Sequence, residues 1–140
     1  MLVVIGGGEI GCYHARHLRR AVERGEVEGP VVVVDRSSRA PALAAFRGDP
    51  QVEVRTADWS VFLDRWLGGA DPSDFLVPAP YEPHLLWTWL ASQLHAAPAA
   101  APEGWSLPYE VAGPDGTRFL SAAAWRCPAT CVEPAHCPVL

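Results

Sequence analysis

The chain has 140 residues, of which 49% are hydrophobic and 19% are charged, and its formal net charge is −5 at pH 7. This composition predicts a folded globular protein and, because the basic residues form no runs, argues against binding to nucleic acid or to a membrane surface. No apolar run approaches the roughly 20 residues that span a bilayer, and the first residues lack the pattern of a secretory signal, so we expect a cytoplasmic protein.

The first predicted element is a short strand that leads into a run of glycines. Residues 2–5, LVVI, are β-branched or apolar and too few for a helix. The glycines that follow fit the G-x-G-x-x-G pattern, in which the first permits a tight turn, the second lets a pyrophosphate approach the backbone, and the third lets a helix pack closely. The residues predicted to hold the pyrophosphate are Gly6, Gly8, Glu9, Ile10 and Gly11.

Helices and strands are predicted to alternate as far as residue 95. The patterns indicate helices at 12–24, 41–47, 59–67 and 83–95, and further strands at 31–34, 51–55 and 74–77. The inward faces of the first and third helices are predicted to comprise Ala15, Leu18 and Val22, and Val61, Phe62 and Trp66. This order predicts an α/β fold, a Rossmann-like doubly wound parallel sheet with strand order 3-2-1-4.

Two aspartates follow predicted strands. Asp35 ends the valine-rich strand, where an exposed carboxylate accepts hydrogen bonds from a ribose diol and repels a 2′-phosphate, so NAD is favoured. Arg36 and Arg39 follow directly and keep NADP as an alternative. Asp58 ends the next strand and has two possible roles, holding an adenine amino group or capping the following helix.

The C-terminal part of the chain has a different composition. Residues 96–104, AAPAAAPEG, predict a linker between a nucleotide-binding core at 1–95 and a region at 105–140 packed on that core. Two runs, 107–112 and 117–123, flank Gly-Pro-Asp-Gly and predict an appended β-hairpin. A tail rich in cysteine and proline follows the hairpin.

The cysteines of the tail form a candidate metal site. Cys127, Cys131 and Cys137 are spaced C-x3-C-x5-C, and in a reducing compartment such cysteines are thiols or metal ligands more often than disulfides. Three thiolates need a fourth ligand to hold zinc or an iron–sulfur cluster. Cys12 would supply it if the tail folds back over the glycine turn, and His136 is less suitable because its neighbour is itself a ligand. A loop of free thiols is the alternative.

The segment GGGEIGCYHARHL (6–18) resembles the NAD(P)-binding domains of the glucose-fructose oxidoreductase family. The pairing of Asp35 with Ala57–Asp58 resembles the nucleotide-sensing domains of potassium-transport regulators. Both resemblances cover about residues 1–95 and imply a bound dinucleotide. The E-K-P motif and the substrate domain of the oxidoreductase family are absent from the sequence, so its catalytic lysine has no counterpart and catalysis stays an open question.

A third resemblance competes with these two. The segment DPQVEVRTADWSVFL (49–63) is similar to the part of S-adenosylmethionine-dependent methyltransferases and polyamine synthases in which a strand-end acid binds adenine. It implies that Asp35 binds the ribose and that Asp58 lies near the adenine. A non-catalytic nucleotide sensor or scaffold is a further alternative. In each case the substrate is unassigned, and a homodimer or a partner chain would complete a catalytic site.

Overall fold

The computed structural model describes residues 1–79, 85–97, 99, 104, 106–113 and 116–122. The chain divides into two compact units, Met1–Ala96 and Ala97–Leu140. Within the described residues, no helix has both the length and the apolar character that crossing a membrane requires.

The first unit alternates strands and helices along the chain. Its elements are β1 (Leu2–Ile5), α1 (Glu9–Glu23), β2 (Val31–Asp35), α2 (Pro41–Ala45), β3 (Val52–Thr56), α3 (Trp59–Leu67), β4 (Phe75–Pro78) and α4 (Leu85–Gln93). The four strands form one parallel sheet in the order β3-β2-β1-β4, which confirms the predicted strand order. The carboxyl ends of all four strands therefore lie along one edge of the sheet.

Helices cover both faces of this sheet. Every residue of β1 and β2 is buried, as the uninterrupted apolar runs predict for central parallel strands. Successive side chains of a strand point to opposite faces. One face packs Leu2, Val4, Val31 and Val33 against α1 and α2, and the other packs Val3, Ile5, Val32 and Val34 against α3 and α4.

The edge strand β4 contains a proline, and the ladder explains why it is tolerated there. The N–H groups of Phe75 and Ala79 donate to the carbonyls of Met1 and Ile5. Because alternate residues of a strand face the same neighbour, the nitrogen of Pro78 points away from β1, to the side of β4 on which no strand pairs among the described residues. Pro78 thus ends β4 beside the end of β1 without disturbing their pairing.

The structure corrects two details of the first unit. Helix α1 begins at Glu9, three residues before the predicted start at 12, so that Gly11 lies inside the helix. Ala15 is buried as predicted, and Leu18 and Val22 pack against the core. The inward orientation predicted for Val61 is wrong, because its side chain is 49% exposed. Trp59 and Leu63 form the buried face of α3, and Val61, two residues from each, lies on the opposite side.

The second unit contains the predicted hairpin. Strands β5 (Tyr109–Ala112) and β6 (Arg118–Ser121) pair antiparallel, with Tyr109 opposite Ser121. The turn is closed by a 2.7 Å hydrogen bond from the N–H of Gly113 to the carbonyl of Thr117. Gly116 has a φ of +83°, a conformation that favours glycine over other residues.

Candidate functional site

A pocket of about 330 Å³ lies at the carboxyl edge of the parallel sheet. Small-molecule sites commonly have volumes from about 300 Å³ upwards. The described residues that line it lie at or after the ends of the four strands or in the first turn of α1, and they are Gly6, Gly8, Glu9, Ile10, Gly11, Asp35, Trp59 and Ala79. Six of these eight are residues that the sequence predicts for the cofactor site.

The glycine turn brings the start of α1 into contact with the end of β1. Gly6 has a φ of +97°, and its N–H donates to the carbonyl of Val34 at 2.8 Å, which ties the turn to β2. A Cβ atom on Gly11 would lie 1.7 Å from the carbonyl oxygen of Gly6, so only glycine fits there. A Cβ atom on Gly8 would meet nothing within 4 Å, which leaves space beside the backbone at the start of the helix.

The middle glycine, Gly7, has a structural role that the sequence pattern does not reveal. A Cβ atom on Gly7 would lie 3.1 Å from the Cβ atoms of Ala40 and Ala42 and 3.2 Å from that of Asp35. The carbonyl of Gly7 accepts a hydrogen bond from the N–H of Ala42 at 3.0 Å. The run of three glycines is the only signal in the sequence that points to this close contact between the turn and α2.

Asp35 is turned into the protein. Its side chain is 9% exposed, so the predicted exposed position is wrong. One carboxylate oxygen accepts a 2.6 Å hydrogen bond from the N–H of Gly7, and the other accepts a 2.7 Å bond from the N–H of Ser37. These two main-chain donors draw the carboxylate inward. Each carboxylate oxygen can accept more than one hydrogen bond, so Asp35 retains acceptor capacity on the side that lines the pocket.

Trp59 and Ala79 line the pocket, although the sequence predicts neither of them as a site residue. Trp59 opens α3 directly after the strand-end pair Ala57–Asp58, and Ala79 directly follows β4. Arg36, a predicted site residue, is exposed and does not line the pocket, but its guanidinium carbon lies 4.4 Å from the centre of the Trp59 ring. The signal that would have found both missed residues is their position next to strand ends.

Asp58 caps a helix. Its Oδ1 accepts a 3.1 Å hydrogen bond from the N–H of Val61, in the first turn of α3. The side chain is exposed, and Asp58 is not among the residues that line the pocket. Of the two roles that the sequence allows for Asp58, the structure therefore shows the helix cap.

The lining of the pocket is acidic. Glu9 lies in the first turn of α1 and Asp35 at the end of β2, and among the described residues that line the pocket none is basic. A negative side chain at a helix N-terminus interacts favourably with the helix dipole, so Glu9 offsets part of the positive potential that a phosphate would meet there. The net charge of a ligand therefore affects how favourably it binds in this pocket.

Cys12 packs under the glycine turn. Its thiol is buried and donates a weak hydrogen bond to the carbonyl of Gly7 at 3.6 Å. Burial raises the pKa of the Cys12 thiol, Arg16 acts in the opposite direction, and Glu9 adds to the rise. A raised pKa favours the thiol over the thiolate, which is the form that binds metals.

The predicted metal site falls mostly on residues that the structure leaves undescribed. Cys127, Cys131 and Cys137 all lie outside the described residues. Among the residues that are described, no three histidine, cysteine or acidic side chains come together in a way that would hold a metal ion. A zinc or iron–sulfur site formed by the three tail cysteines and Cys12 stays a prediction.

Comparison with known proteins gives one similarity. Residues 83–140 match a family model described as "Uncharacterized protein, C-terminal domain". No match was found among curated proteins or among solved structures. The similarity begins after β4 and includes none of the described residues that line the pocket.

Proposed function

We propose that residues 1–96 form a Rossmann-like domain that binds a nucleotide cofactor, NAD in preference to NADP. The observation that carries this proposal is the position of the pocket between Gly6 and Ala79, at the ends of β1 and β4. From β1 the chain moves through β2 to β3 on one side, whereas β4 lies on the other side of β1. Ligands of open parallel sheets bind where the strand order reverses in this way.

The proposed pose follows from the donors and acceptors of the pocket. The pyrophosphate approaches the backbone at Gly8, where no side chain intervenes and where the first N–H groups of α1 have no partners within the helix. The ribose diol donates to Asp35, whose carboxylate is held in place by the N–H groups of Gly7 and Ser37. A carboxylate in this position repels a 2′-phosphate, which favours NAD.

The proposed activity is binding, and an oxidoreductase reaction is a further hypothesis. Hydride transfer to or from a nicotinamide requires a substrate held beside the ring. A homodimer or a partner chain would supply that second surface. A nucleotide sensor would use the same binding site without chemistry.

The acidic lining supports S-adenosylmethionine as a second candidate ligand. NAD is an anion, and Glu9 and Asp35 both repel it, without a basic residue in the described part of the lining to compensate. S-adenosylmethionine carries a sulfonium and an ammonium group, which these carboxylates attract. In this alternative Asp35 would still bind the ribose, while Asp58 would keep its helix-capping role.

A ligand panel tests the proposal. The full chain is heated with NAD, NADP, S-adenosylmethionine or ATP, and we expect the largest rise in melting temperature with NAD. A ligand at 100 times its dissociation constant stabilises the fold by about 2.7 kcal/mol. A shift with S-adenosylmethionine alone would replace the first candidate by the second. The absence of any shift would favour a scaffold without a nucleotide ligand.

A further inference from the structure

The outer side of β3 presents main-chain groups that the sheet does not use. β3 is the last strand on its side of the parallel sheet, and in the described part of the chain no strand pairs with its outer side. The carbonyl of Gln51 and the N–H of Ala57 bond to β2 at 3.2 and 2.9 Å. Because alternate residues of a strand face the same neighbour, the main-chain groups that point outward are those of Val52, Val54 and Thr56.

The two edges of this sheet differ in their protection against further pairing. On β4 the nitrogen of Pro78 points outward and carries no hydrogen, and a proline on an edge is one of the devices that prevent strands from adding there. β3 contains no proline, so each of its outward residues can donate and accept. A strand can therefore add to the sheet beside β3 more easily than beside β4.

The charges of β3 indicate which strand fits. Glu53 and Arg55 lie on one face of the strand, both exposed, with Nε of Arg55 2.7 Å from Oε1 of Glu53. They stand on either side of Val54, so a second β3 that runs antiparallel, with Val54 opposite Val54, places each glutamate opposite an arginine. Directly opposite side chains lie close enough to interact. The same register pairs the outward main-chain groups of Val52 with those of Thr56.

We propose that the outer edge of β3 is the docking surface for a second copy of this chain, which pairs through its own β3 about a twofold axis at Val54. The two four-stranded sheets then become one continuous sheet. A cavity of about 500 Å³, lined in part by Leu43, Phe46 and Val54, lies beside β3, and the pairing places Val54 of the second copy next to it. Both copies use the same surface, so the assembly closes as a dimer.

This inference does not depend on nucleotide binding, because none of the described residues that line the nucleotide pocket belongs to β3. The test is the oligomeric state of the full chain, measured by sedimentation velocity over a series of concentrations. Low salt is used because exposed charge pairs are least screened there. We expect the unmodified chain to change from monomer to dimer as its concentration rises.

Charge reversal tests the register. Glu53→Arg places arginines opposite each other, and Arg55→Glu places glutamates opposite each other. Each variant alone should raise the dimer dissociation constant about tenfold or more, because opposite charges across a strand pair stabilise it and like charges destabilise it. Both side chains are exposed, and circular dichroism checks that the variants keep the fold.

Mixing the two variants should reverse the loss. In a mixed dimer every arginine again faces a glutamate, so an equimolar mixture should dimerise about as tightly as the unmodified chain, and the double variant Glu53→Arg/Arg55→Glu should do so alone. The matched control pair is Arg24 and Glu26, which are also exposed, two residues apart and ion-paired at 2.6 Å, but lie outside β3. Arg24→Glu, Glu26→Arg and their mixture should leave the dissociation constant unchanged.

Several outcomes would overturn this pairing. A chain that stays monomeric up to its solubility limit would exclude a second copy as the occupant and leave the edge to a strand of another protein. A dimer that Glu53→Arg weakens no more than Glu26→Arg would form through another surface. A loss in both single variants without recovery in their mixture would exclude the antiparallel register about Val54. Growth beyond the dimer would exclude the twofold closure.

Discussion

The ends of β2 and β3 each carry an aspartate, and the two side chains have different roles. Asp35, at the end of β2, accepts hydrogen bonds from Gly7, which is 28 residues away along the chain, and from Ser37. Asp58, just after β3, accepts a hydrogen bond from Val61, three residues away. Asp35 is buried and lines the pocket, whereas Asp58 is exposed and lies outside it.

This difference shows that the aspartate at the end of β2 makes a tertiary contact, whereas the aspartate after β3 makes a local one. The Asp35 carboxylate joins the glycine turn to the end of β2, so the shape of the pocket depends on it. The Asp58 carboxylate only completes the first turn of its own helix. Substitutions of Asp35 should therefore affect stability and ligand binding together, and substitutions of Asp58 should affect stability alone.

Gly11→Ala should give the largest effect, because it disrupts the turn that Asp35 supports. The new Cβ atom would lie 1.7 Å from the carbonyl oxygen of Gly6, so the backbone of the turn must move. Forced overpacking costs about 1–3 kcal/mol and sometimes more, and a backbone clash places this variant at about 3 kcal/mol or above. Urea unfolding of the variant and of the unmodified chain measures the loss.

Gly8→Ala is the matched control for that variant. Its Cβ atom would meet no atom within 4 Å, so we expect the free energy of unfolding to change by less than about 0.5 kcal/mol. The affinity for NAD should nevertheless fall, because the new methyl group occupies the space proposed for the pyrophosphate. Unchanged NAD affinity in a stable Gly8→Ala variant would remove Gly8 from the site.

Asp35→Ala should destabilise the fold by about 3 kcal/mol, since hydrogen bonds to a charged group are worth about 1.5–3 kcal/mol each and one buried and one partly buried N–H group lose their acceptor. Asp35→Asn should also be destabilising, because its amide nitrogen would face a main-chain donor. Chemical unfolding followed by circular dichroism gives both values. A variant as stable as the unmodified chain would show that Gly7 and Ser37 do not depend on this carboxylate.

The sequence predicts the parts of this architecture that depend on local patterns. The bounds of β1 and α3 and the hairpin follow from short apolar runs, a helix cap and a turn motif. The glycine spacing also predicts most of the pocket lining. Each of these signals lies within a few residues of the element that it specifies, which is why it can be read without the fold. The parallel strand order follows from the alternation of these elements, because crossovers between parallel strands are right-handed.

The predictions that are wrong or missing concern contacts between segments that are distant in the sequence. The predicted start of α1 is too late because glycine is unfavourable inside a helix, and the close approach of Gly11 to Gly6, which requires glycine at position 11, is visible only in three dimensions. The burial of Asp35 depends on the N–H of Gly7, contributed by another strand end. The part played by Trp59 in the pocket depends on its side chain, which packs in the core and also faces the pocket, and the sequence indicates only that residue 59 lies close to a strand end.

Asp58→Ala should cost about 1 kcal/mol, the usual loss for an aspartate helix cap. Asp58→Ser, which keeps an acceptor at the cap, should recover most of that loss. Neither substitution should alter the affinity for NAD, because Asp58 does not line the pocket. Stability is measured by urea unfolding and affinity by calorimetry. A selective loss of S-adenosylmethionine binding in both variants would instead assign Asp58 to an adenine site.

Glu9→Gln should give the smallest effect, and its sign separates the two candidate ligands. Glu9 is an exposed acid in the first turn of α1 and lines the pocket. A charge at a helix N-terminus is worth about 0.3–1 kcal/mol, so removing it should tighten NAD about two- to fivefold because the repulsion of the pyrophosphate is relieved. The same change should weaken S-adenosylmethionine by a similar factor, because an attraction is lost.

The control for Glu9→Gln is Glu28→Gln, which removes one exposed negative charge near the amino end of β2, on the opposite edge of the sheet from the pocket. If the effect of Glu9 comes from its position at the helix start, Glu28→Gln leaves both affinities unchanged, whereas an effect of net charge alone would appear in both variants.

The change in NAD affinity caused by Glu9→Gln should also become smaller as salt rises from 0.05 to 0.5 M, because exposed charges are screened over a shorter distance. Tighter binding of NAD that persists at high salt would mean that the glutamine side chain itself contacts the ligand.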